Sequence, residues 1–194
     1  AALNLLSNAD FYDINMILIP GIVDTGAASG HTGIISKAID VCESRGDCFL
    51  IYDVTTHNTT NLVTVTDKAA TRDSNYAATY WPWVSVSDST SGAQRWVPPS
   101  IVMAGIYAFN DKVAAPWFAP AGLNRGGLDT VIQAERSLTH ANRDDLYDSN
   151  VNPIATFPGQ GVVVWGQKTL QKKSSALDRV NVRRLMIKVK KFIA

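Results

Sequence analysis

At 194 residues the chain is long enough for one domain with a real core, and its 46% apolar content excludes wholesale disorder. A net charge of +1 gives no reason to expect nucleic acid or an anionic membrane as the main partner. No apolar run approaches the length of a membrane span and no signal-peptide pattern is visible, although the Ala-Ala-Leu start without Met leads us to expect a true N-terminus upstream.

Residues 14–19, Ile-Asn-Met-Ile-Leu-Ile, read as a buried strand closed by Pro20 and Gly21. A Gly/Thr/Ser-rich connection, 21–33, leads to a helix on which Ile34, Ile35, Ala38, Ile39 and Cys42 recur at helical spacing and which Gly46 stops. Residues 48–52 form the next strand, and this succession predicts a parallel β-α-β unit with both sheet faces covered. A polar loop, 57–61, and a helix over 66–74 follow. The aromatic run 76–87 is β-prone, with Pro82 marking an edge or a bulge. Asp88 to Gly92 turns the chain, and residues 94–97 complete a hairpin.

Pro98 and Pro99 cannot lie in a helix interior, so the following helix is expected to open at Ser100 as its N-cap. Ile101, Val102, Met103, Ala104, Ile106, Ala108 and Phe109 make it apolar on nearly every side. That predicts a helix packed between layers, ending near Asn110 and Asp111. The loop 115–122 has no helical or strand period; Trp117 and Phe118 are expected to anchor it on the core. Next come a short strand or extended piece at 128–132 and a helix from its cap at Thr139 to Ser149, ended by Asn152 and Pro153. Two β segments at 154–157 and 162–165 flank Pro158-Gly159-Gln160-Gly161. Asp178 opens the last helix, where Val182, Leu185, Met186, Val189 and Ile193 predict a buried face. The helix meets no Gly, Pro or Asn stop before Ala194, which reads as a cut end. No internal repeat or low-complexity linker is present.

Cys42 and Cys48 match neither a redox pair nor a zinc site and read as two buried thiols in a reducing cytosol. His57 and His140 lack partners at ligand spacing, so solvated or capping roles are expected. Asp144 and Asp145 beside Arg143 read as a solvated face. Gly159-Gln160-Gly161 is no phosphate loop, because neither Lys-Ser/Thr nor a helix follows.

Five blocks occur in order: RWVPPSIVMAGIYAFND, PWFAPAGLNRG, NRDDLYDSNVNPI, GVVVWGQKT and LDRVNVRRLM. Together they resemble the second half of the core of a contractile-tail sheath protein, of the kind found in T4-like bacteriophages. The resemblance covers roughly residues 15–193 and is most specific from Trp96 onward. It implies an α/β fold with a layered core, in which a mixed, partly parallel sheet is flanked by helices, as in subtilisin-like cores. It also implies a division into a sheath core, 1–176, and the start of a C-terminal domain, 177–194, with terminal arms and outer insertions absent.

A subtilisin-like core raises the question of a serine hydrolase. Asp24-Thr25-Gly26, Gly30-His31-Thr32 and Ser100 with Met103-Ala104-Gly105 echo pieces of such a site. Asp24 and His31, however, share one short connection, and Ser100 lacks the preceding Gly-Thr, so no triad is expected. No catalytic, cofactor-binding or metal-binding residue is assigned, and no cofactor. The resemblance implies a structural subunit that forms six-membered rings of itself in a helical sheath around a tail tube protein. Baseplate and tail terminator proteins are further partners, with assembly in the bacterial cytoplasm. Arg179, Arg183, Arg184, Lys188, Lys190 and Lys191 make the last helix basic; they are read either as its solvent face or as subunit contacts to acidic surface. The alternatives are a subunit of a tailocin or secretion machine and a diverged hydrolase.

Overall fold

The computed structural model describes residues 2–24 and 31–193. Its centre is a sheet in the order β1-β2-β3-β7-β8. β1 (Met16–Val23), β2 (Phe49–Asp53), β3 (Ala77–Trp81) and β7 (Val151–Phe157) run parallel; β8 (Gly161–Val164) returns antiparallel along β7. β2 and β3 are buried at every position, as parallel strands covered on both faces must be. Alternate residues feed two cores. Leu50, Tyr52, Ala77 and Trp81 pack with α2 (His31–Arg45), α3 (Leu62–Ala70) and α5 (His140–Asp148). Phe49, Ile51, Ala78 and Tyr80 pack with α4 (Pro99–Val113) and α6 (Val180–Ile193). A short α1 (Ala2–Leu6) precedes β1, and an antiparallel sheet β5-β4-β6 stands apart, built from β4 (Val84–Ser87), β5 (Gln94–Val97) and β6 (Val131–Ala134). The α/β architecture with a mixed sheet between helices is therefore the observed one.

Several expected boundaries move. β1 runs on through Pro20 and Gly21: Gly21 takes φ 77 and the register with β2 breaks between Leu18 and Val23. A bulge on an edge strand tolerates a proline that lacks a ladder donor. α3 starts at Leu62 because Asn61 caps it, its side chain accepting from the Val63 N–H at 3.0 Å. Pro82 marks the passage from the large sheet to the small one. The strand expected at 128–132 lies at Val131–Ala134 in that small sheet. Asn152 and Pro153 end no helix; they lie inside β7. There Asn152 is fully buried, its Nδ2 donating to the Thr79 and Lys168 carbonyls and its Oδ1 accepting from the Lys168 N–H at 2.6 Å. Asp178 closes a one-turn 3-10 helix capped by Ser175, and α6 begins two residues later.

Two helices face differently from the sequence reading. α4 is not packed between layers: it buries Val102, Met103, Ile106, Tyr107 and Asn110 and leaves Ile101, Phe109 and Val113 about half exposed. It also runs past Asn110 and Asp111 to Val113. α6 turns Val180, Arg183, Arg184 and Ile187 inward, while Met186, Val189, Phe192 and Ile193 are exposed.

Candidate interaction face

α4 is seated by a buried carboxylate. Asp53, the last residue of β2, accepts from the Ser100 N–H at 3.0 Å, the Ser100 hydroxyl at 2.7 Å and the Gly21 N–H at 3.4 Å. Burial raises its carboxyl above the ordinary range, and the bonds from Ser100 and Gly21 pull the other way. Pro98 is the actual N-cap, without a capping side chain, so the cap expected from Ser100 is supplied by Asp53, forty-seven residues away in sequence. The hydroxyl of Ser100 is thus committed to a carboxylate and fully buried. Asp24 serves elsewhere, paired with Arg72 at 3.0 Å and accepting from the Thr32 hydroxyl at 2.9 Å. Thr25, Gly26 and Gly30 lie outside the described residues.

Arg184 joins α6, α4 and the loop 114–126. Its guanidinium makes a two-point bond to Asp111 at 2.6 and 2.8 Å, reaches the Pro116 carbonyl at 3.2 Å and lies 4.8 Å from the Tyr107 ring centre. Tyr107 in turn shares a 2.8 Å hydroxyl–hydroxyl bond with Tyr80. Arg183 stacks 4.1 Å from the Tyr76 ring centre, and its burial lowers its pKa. Lys190 donates to the Arg45 carbonyl at 2.6 Å, Lys191 bonds Asp13 at 2.6 Å, and Arg179 bonds the Tyr147 hydroxyl. Five of the six basic residues singled out in the sequence are therefore engaged within the chain, Arg183 and Arg184 beneath the surface. The solvent-face reading fails for those two, because tyrosine rings and Asp111 compensate their buried charge. Lys188 is exposed and, among the described residues, forms no hydrogen bond or ion pair. It stands on a groove of about 390 Å³ lined also by Asp13, Asn15, Pro116 and Arg184.

The loop 114–126 is held by polar staples instead of aromatic anchors. Asn110 donates to the Ala115 and Phe118 carbonyls at 3.1 and 3.2 Å, Arg125 donates to the Ala119 carbonyl, and the Gly122 N–H bonds the Val164 carbonyl at 2.8 Å. A Cβ on Gly126 would meet the Val164 carbonyl oxygen at 2.6 Å, so only glycine lets the loop lie this close to β8. Trp117 and Phe118, expected to be buried, are 45% and 43% exposed because these bonds remove the need for an apolar anchor. Ile101, Phe109 and Val113 of α4 and Met186, Val189, Phe192 and Ile193 of α6 are likewise exposed apolar side chains, on helices that pack on the same core.

His57 lies between the Trp83 and Trp96 rings, 3.6 Å from Glu135, and His140 pairs with Asp144 at 2.8 Å on the surface. Among the described residues no group of His, Cys, Asp and Glu is placed to hold a metal, and no helix is long and apolar enough to cross a membrane. Asp53 was not singled out in the sequence, and Asn110 and Asp111 entered it only as the expected end of α4. Each works through a partner that no local pattern names.

Residues 1–170 match the family model described as the phage tail sheath protein central domain. The tail sheath protein of Vibrio phage KVP40 is 42% identical over 122 residues, 63% of this chain and 17% of that protein. The tail sheath protein of Enterobacteria phage T4 is 38% identical over 120 residues, 62% of this chain and 18% of that protein. The chain thus spans less than a fifth of the length of these two relatives. Among solved structures, the sheath complex of the PVC extracellular contractile injection system in its contracted state aligns with a TM-score of 0.71. Identity there is 23%, over 94% of this chain and 47% of that one. The contracted helical sheath of the anti-feeding prophage gives 0.66 at 24% identity, over 97% and 48%.

Proposed function

Because the chain belongs to the phage tail sheath family through its central domain, we propose that it is the core of a structural subunit that polymerises around a tail tube and contracts to drive it through the bacterial envelope. Contacts between unlike patches, repeated with a rotation and a rise, build a helical tube of six-membered rings. Contraction exchanges one set of interfaces for another between nearly rigid subunits. Terminal arms that add strands to neighbouring subunits link the lattice. The tail tube, baseplate and terminator proteins are its other partners, and assembly takes place in the host cytoplasm. No catalysis is assigned: Ser100 seats a helix. We divide the chain as core, 1–176, and the start of a C-terminal domain, 177–194; the family match stops at residue 170 and α6 points an apolar side outward.

The observation that carries this reading is the apolar flank of α4, the loop 114–126 and α6, which suits a molecule gripped by other sheath surface. Negative-stain electron microscopy of the longer sheath polypeptide tests it. Phe109→Asp with Trp117→Asp is expected to keep the fold and lose tube formation; normal tubes from that variant would remove the flank from the assembly. A tailocin or other injection machine is the second reading; the likeness to injection-system sheaths shows a shared fold and does not choose between the two. Neighbouring genes for a capsid separate the two.

A further inference from the structure

Cys42 and Cys48 lie at a corner that subunit assembly, as proposed, leaves unused. Cys42 is in the last turn of α2 and Cys48 immediately precedes β2. Both are free and fully buried, and their sulfurs are 3.5 Å apart. Arg45, between them in sequence, bonds Asp47 at 2.7 Å and the Leu6 and Tyr12 carbonyls at 2.6 and 2.8 Å. Its own carbonyl accepts from Lys190. One corner therefore ties the N-terminal segment, α2, β2 and α6 together.

We propose that Cys42 and Cys48 are a modification site, a dithiol that a small-molecule disulfide closes into a bridge stapling this corner. A disulfide bond is about 2.04 Å long, so the sulfurs need to approach by about 1.5 Å, within the reach of a side-chain rotation. The chemistry is polarised. The bond shared with Cys42 lowers the Cys48 thiol below its ordinary value, with Arg45 adding to the effect; the same bond and burial push Cys42 up. Cys48 as thiolate attacks one sulfur of the oxidant, forming a mixed disulfide and releasing one thiolate. Cys42 then gives up its proton and attacks the Cys48 sulfur, expelling the second thiol. The protein loses two protons and two electrons, and the oxidant becomes two thiols. Cys48 follows directly on Gly46 and Asp47, which link α2 to β2, so admitting the oxidant requires local opening of that link.

Intact-mass analysis of the native protein incubated with oxidised glutathione tests this. The expected result is a fall of about 2 Da, loss of both Ellman-reactive thiols and reversal by dithiothreitol. The thermal midpoint of the oxidised protein is expected to rise by roughly 5 °C. Cys42→Ala removes both the resolving thiol and the bond that lowers Cys48, so it is expected to take up glutathione on Cys48 more slowly than the wild type closes its bridge, and to retain it. Two free thiols in the native protein while the urea-unfolded chain closes, a bridge between two molecules, or an unreacted Cys48 in Cys42→Ala would each overturn the proposal.

Discussion

The two flanks of the five-stranded sheet are built alike and finished differently. On one side α2, α3 and α5 cover a core of Leu50, Tyr52, Ala77 and Trp81, and only Ile34 and Val63 among their large apolar residues are exposed. On the other, α4 and α6 cover Phe49, Ile51, Ala78 and Tyr80 just as completely, yet Phe109, Val113, Met186, Val189 and Phe192 face outward. The first flank ends at solvent in the usual way. The second repeats an apolar layer beyond the one that holds the domain together. The inward residues of α4 and α6 hold the fold, and the outward apolar residues are the ones proposed above to meet a partner.

Substitution can break that separation, most strongly at its inner layer. Met103 is fully buried against the sheet, so Met103→Asp places an unpaired charge in a dry core. A loss of roughly 4 kcal/mol or more is expected, seen as a collapse of the thermal transition by circular dichroism. An unchanged melt would mean that α4 is not seated on the sheet by this face.

Arg184 comes next because it joins three elements while remaining inside. Arg184→Ala leaves Asp111 without its two-point partner and frees the Pro116 carbonyl. Asp111 is 29% exposed, so water recovers part of the loss, and we expect about 2 kcal/mol in urea unfolding. Arg184→Lys is expected to restore only a fraction, since an ammonium cannot make the planar pair or stack on Tyr107. Full recovery by lysine would show that charge alone matters there.

These layers also mark how much was legible in sequence. Period and punctuation found the β-α-β start, the hairpin at 94–97, the α5 cap at Thr139 and the β7–β8 return. Apolar residues on nearly every side of α4 predicted a helix between layers, and spacing on α6 predicted one buried face, but spacing cannot say whether a face meets the sheet or a partner. On α6 the inference ran the wrong way: Arg183 and Arg184 go inward because Tyr76, Tyr107 and Asp111, distant in sequence, receive them. Asp53 carries no signal in the sequence beyond lying just past the strand expected at 48–52. Its role as the cap of α4 depends on a parallel sheet placing the end of β2 beside a helix N-terminus, which is a property of topology and not of any motif.

A smaller effect separates Asp53 from the ion pairs of the surface. Its folded-state pKa lies above the unfolded value, so the native state holds the proton more tightly. Its contribution to stability is then greatest below the unfolded pKa and falls as pH rises through the folded pKa. Asn at this position does not titrate. The stability of the wild type relative to Asp53→Asn is expected to grow as pH falls from neutrality through that window, read from urea midpoints at each pH. A difference that shrinks on acidification would mean the Ser100 bonds outweigh burial and hold the carboxylate ionised.

The least change is expected where the outer layer alone is altered. Val189→Lys with Phe192→Lys replaces side chains that are 39% and 91% exposed. Stability should move by no more than about 0.5 kcal/mol, while binding of a hydrophobic dye falls because its landing surface is gone. The pairing of those two readouts decides between the layers. If the double variant melts as early as Arg184→Ala, the outer side of α6 contributes to the fold itself. If stability holds and dye binding is unchanged, the exposed apolar flank of α6 is too small or too mobile to receive a partner, and the contact surface narrows to α4 and the loop 114–126.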